Sequence, residues 1–145
     1  NKNRRRTDYQ SRSVYLPVIR NDLPELFEVF DFANPHASIG LRPQTMVASQ
    51  GLFLLNDVSV QAAAEAMAKR LLAENLPNDD QRIAFLYSYA ASAEPTAAER
   101  ETLLAYVRKT RERLRGVAAD DDAESQAWAL ACHAVFATTR FQILD

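Results

Sequence analysis

The chain has 145 residues, 48% of them apolar, which is one domain's worth of polypeptide with enough apolar side chains to bury a core. Its 17 basic and 19 acidic residues leave a formal charge of -2, so no overall field draws it to nucleic acid or to an anionic membrane. No apolar run approaches the roughly 20 residues that span a bilayer, and one cysteine, Cys132, cannot form an internal disulfide.

The chain opens Asn1-Lys2-Asn3, with neither an initiator Met nor a signal-peptide pattern, and is expected to be part of a longer protein. Residues 1–11, NKNRRRTDYQS, are polar and read as a linker or arm without fixed structure. Arg4, Arg5 and Arg6 fit a solvated junction better than a phosphate or partner contact, and a nucleic-acid role would rest on them alone. Residues 12–145 read as a single helical domain, the C-terminal part of that larger protein. Residues 13–19 are apolar and β-branched, but Pro17 demotes them to an edge strand or an irregular segment. Asn21 or Asp22 can cap a helix with Pro24 in its first turn, and LPELFEVFDF continues it for about 10 residues. Leu23, Leu26, Phe27 and Phe30 form its main stripe; Val29 and Phe32 fall off it, so burial on more than one side is expected. Glu25, Glu28 and Asp31 leave a narrow acidic strip. Asn34-Pro35, Gly40 and Pro43 then mark a loop of about 14 residues, long for a compact domain.

Ser49 can cap a short helix, QGLFLLN, which Asn56 and Asp57 end. The next helix, VSVQAAAEAMAKRLLAEN, buries Val60, Ala64, Met67 and Leu71. Pro77-Asn78-Asp79 turns the chain into a helix over 80–92, with Ile83, Leu86, Tyr87 and Ala90 on one face. Thr96 and Glu99 have the spacing of a capping box, in which hydroxyl and carboxylate satisfy end amides reciprocally. That helix is expected to reach Arg115 and to stop at Gly116, with Leu103, Leu104, Val107 and Leu114 inward. Arg108, Lys109, Arg111, Glu112, Arg113 and Arg115 are assigned to its solvated outer face. Asp122 is the expected cap of the last helix, over 123–138, which buries Trp128, Ala131, Cys132 and Val135. The tail FQILD packs back through Phe141 and Ile143. The expected fold is all-α: a compact, irregular bundle of about six helices with an extended N-terminal segment and one long loop.

No catalytic constellation stands out. His36 and His133 have no second His or Cys at ligand spacing, so no metal site is expected. His133 follows Cys132 directly, and about 100° around a helix separates them, which suits a structural His and a buried thiol. There is no Cys-x-x-Cys-His for covalent haem, no glycine-rich phosphate loop and no Gly-x-Ser-x-Gly. No cofactor is expected in this chain. The candidate ligand-binding residues are Arg12, Arg20 and Arg42 with Asp31, Gln50 and Asn56, gathered in residues 12–57. Planar guanidiniums bind carboxylates in a fork. The cluster therefore reads either as an ion-pair network on Glu25, Glu28 and Asp31 or as a pocket for an anion. Gln50 and Asn56 are expected to satisfy loop carbonyls.

The run Arg12-Ser13-Val14-Tyr15-Leu16-Pro17-Val18-Ile19-Arg20, followed by Phe30-Asp31, Arg42 and Gln50-Gly51-Leu52-Phe53-Leu54-Leu55-Asn56, resembles the C-terminal domain of large planctomycete cytochrome-linked proteins. Arg82-Ile83, Tyr87, Pro95-Thr96-Ala97-Ala98-Glu99-Arg100 and Ala134-Val135-Phe136 with Arg140-Phe141 are similar to its later landmarks. That domain has no known function. The resemblance implies a large parent protein with a c-type cytochrome domain, export to the cell envelope, and partners among the parent's other domains. It supplies no catalytic residue. Ala93 stands where the pattern has a basic residue, and Arg140 where it has an acidic one. Two functional readings follow: a non-catalytic structural or docking module, and an anionic-ligand or glycan-binding part of an extracytoplasmic enzyme.

Overall fold

The computed structural model describes residues 13–16, 18–19, 22–33, 36, 40, 48–116 and 119–142. They are all-α, with no strand among the described residues. The chain forms two compact units, Asn1–Phe53 and Leu54–Asp145, and the division falls within one helix.

In the first unit, a 3₁₀ turn over Ser13–Tyr15 is closed by the Leu16 amide donating to the Ser13 carbonyl at 3.0 Å. Ile19 and Asp22 form an isolated bridge, so the apolar residues here belong to turns rather than to a strand. Helix α1 spans Glu25–Val29, half the length expected from its sequence. Its end explains the difference. Asp31 takes the left-handed conformation, φ 52°, and the Phe32 amide donates back to the Phe27 carbonyl at 2.9 Å. This is a Schellman cap, with Asp in the place usually held by Gly. The Phe27 and Phe32 rings stack at 4.5 Å, which supplies the apolar contact that accompanies such caps. Phe30 meets Phe53 edge-on at 5.8 Å.

Helix α2 spans Ala48–Asn56, so Ser49 lies inside its first turn rather than before it. In the second unit, α3 (Val58–Ala73) starts where Asp57 accepts the amides of Ser59 and Val60 at 2.9 and 3.3 Å. Helix α4 (Asp79–Ala91) is capped by Asn78, which accepts the Gln81 amide at 2.9 Å, and Asp79 and Asp80 oppose the helix dipole. Thr96 and Glu99 form the full capping box of α5, Ala97–Leu114. Gly116, at φ 87°, follows the end of α5, a conformation that glycine adopts without strain.

Helix α6 spans Asp120–Phe136. It begins before Asp122, so Asp122 is a first-turn residue and not the cap. Ala119 holds the cap position with no side-chain hydrogen bond, and Asp121 and Asp122 instead place negative charge in the first turn, where the helix dipole favours it. Helix α7, Thr139–Gln142, follows, with Phe141 against Phe136 at 4.9 Å; Ile143 lies outside the described residues.

Helix α6 is the centre of this unit and packs on α3, α4, α5 and α7. Trp128, Leu71, Ile83, Leu86, Val107 and Cys132 are fully buried, each large apolar side chain adding about 1.5–3 kcal/mol. Ala64 and Ala68 of α3 and Ala127 and Ala131 of α6 are also fully buried, and such small residues let helices approach closely.

Candidate functional site

The structure brings together Asp31 and Gln50 from the expected cluster. Gln50, in the first turn of α2, is buried at 5% exposure. Its amide donates to the Val29 carbonyl at 3.2 Å and approaches the Asp31 carboxylate at 3.5 Å. The Val29 carbonyl is one of the acceptors a helix end leaves without a partner. Gln50 thus finishes α1, with a helix-end carbonyl as its acceptor rather than a loop carbonyl. Asn56 closes α2 and is exposed; its backbone carbonyl accepts from the Gln61 side chain at 3.5 Å. Arg12, Arg20 and Arg42 lie outside the described residues, as does most of the 34–47 loop.

A second polar cluster joins α4, α5 and α6 through Arg111, which sequence reading assigns to the solvated face of α5. Arg111 turns inward rather than outward. Its fork binds Asp79 through Nη1 and Nη2, the latter at 2.9 Å, and Glu124 through Nε and Nη2, the latter at 2.6 Å. Arg82 lies 3.0 Å from Asp79 and 3.6 Å from Glu124. The Trp128 indole N–H donates to Glu124 at 3.0 Å, and both guanidiniums sit about 6 Å from its ring centroid. The hydrogen bonds from Arg111 hold the Asp79 carboxyl below the usual carboxylate range; burial opposes them and Arg82 reinforces them. Two cations meet two anions, which leaves no net charge for an ionic ligand. One signal was present in the sequence. Position 111 lies one helical turn beyond the buried Leu103 and Val107 of α5, on the same face.

At the other end of α5, Arg140 binds the Glu99 carboxylate at 2.9 Å and the Glu94 carbonyl at 2.8 Å. Arg140 therefore has a carboxylate partner in this chain, although the resembled pattern has an acid at its position. Burial raises the Glu99 carboxyl, but the Thr96 amide and hydroxyl and the Arg140 charge outweigh it, and the net shift is downward.

Cys132 is fully buried, and burial pushes its thiol up to about 12, which disfavours the nucleophilic thiolate. His133 Nε2 lies 2.9 Å from the Leu54 carbonyl, so it serves the backbone near the end of α2. Among the described residues no group of three His, Cys, Asp or Glu side chains stands together as metal ligands. No helix among them is long and apolar enough to cross a membrane.

Fold and polar clusters together define an all-α module whose described charged clusters tie its helices to one another. The chain belongs to the PSD1 family, described as protein of unknown function (DUF1553), which matches residues 1–107. No curated protein and no solved structure matches it. The family match ends inside α5, so α6, which fills the core of the second unit, lies beyond it, as does the closing landmark at 134–141.

Proposed function

We propose that this chain is a non-catalytic structural or partner-docking module at the C-terminus of a larger exported protein of planctomycete type. Its partners would be the other domains of that parent, a c-type cytochrome domain among them, and its place would be the periplasm or cell envelope. Support for the parent and its location comes from the sequence landmarks of residues 12–56.

The observation that carries the docking reading lies in the first unit. Val14, Tyr15, Val18 and Ile19 are 75%, 71%, 42% and 51% exposed. Contiguous exposed apolar patches larger than a few hundred Å2 mark interaction sites. Val14→Asp combined with Ile19→Asp should leave the melting temperature of the chain within about 2 °C, since exposed substitutions cost little. The same pair should abolish association with the remainder of the parent protein, measured by sedimentation of the two mixed pieces. Association that survives the double substitution removes this reading. A fall in stability of the chain alone would mean that these residues are covered internally.

The competing reading, an anionic-ligand or glycan site, rests on Arg12, Arg20 and Arg42. Under it, Arg42→Ala abolishes binding of an acidic glycan with the fold intact. Under the docking reading the same change alters at most stability.

A further inference from the structure

We draw no further inference here: the strongest candidate, the outward apolar face formed by the end of α2 and by α3 with Leu55, Val58, Ala62 and Ala66, is an unpartnered helix face on which nothing in the structure shows what covers it.

Discussion

Arg111→Met removes the guanidinium that links α4 to α6 and keeps most of the side-chain volume. It strands Asp79 and Glu124, whose side chains are 28% and 32% exposed. Deleting one partner of a fully buried pair costs about 3–5 kcal/mol, whereas an exposed pair contributes about 0–1 kcal/mol. These carboxylates lie between the limits, and Arg82 stays 3.0 Å from Asp79 to balance part of the charge. A loss of about 2 kcal/mol is therefore expected after allowance for solvent screening. In a chain of 145 residues it lowers Tm by about 4–8 °C. The assay is urea unfolding followed by fluorescence of Trp128, the one tryptophan of the chain, which donates to Glu124 within the cluster. Arg108→Met, on the exposed side of α5, is the control and should shift stability by less than about 0.5 kcal/mol. Equal midpoints for the two variants would refute the assignment of Arg111 to a structural network. The pH dependence gives a second readout. Asp79 titrates below its ordinary value of 3.8 in the folded chain, so its contribution is present above that pH. It is lost as pH falls through 3.8 toward the lower folded value, and Arg111→Met should flatten this acid limb.

A chain ending at residue 107, the limit of the family match, lacks α6 and strips partners from Leu71, Ile83 and Leu86. Each such side chain is worth about 1.5–3 kcal/mol against a total stability of about 5–15 kcal/mol. The truncated chain should show no cooperative melt by circular dichroism; a sharp transition would contradict the central role of α6. Gln50→Leu leaves the Val29 carbonyl without its donor and should cost about 1–2 kcal/mol locally. Faster hydrogen exchange at the Phe30 and Phe32 amides is the expected sign, and unchanged exchange would show that Gln50 does not hold the end of α1. Cys132 in the native chain should react with a thiol reagent at pH 8 only as fast as the chain opens, because burial raises the thiol to about 12. A native rate near that of the urea-unfolded chain would contradict its burial.

The helices of the second unit were legible because their boundaries are local chemistry. Asp57, Asn78 and the Thr96–Glu99 box each satisfy amides within four residues, and Gly116 occupies a backbone conformation that only its own lack of a Cβ makes easy. The buried stripes followed from the period of the helix, as Ala64, Met67 and Leu71 or Ile83, Leu86 and Tyr87 show. Where two local solutions compete, the same reasoning failed. The apolar run through Phe32 favours a longer α1, yet the Schellman cap at Asp31, the Phe27–Phe32 stack and the buried Gln50 amide together end it at Val29. Arg111 is the clearest case of a residue decided by tertiary structure. In sequence it is one of several cations near the end of α5. Its inward turn depends on Asp79, 32 positions earlier, and Glu124, 13 positions later, arriving on the same side. Arg140 and Glu99, 41 positions apart, meet for the same reason. Helix period and caps are read over a few residues; the partner of a charge is set by which helices pack together, and only the folded chain brings those together.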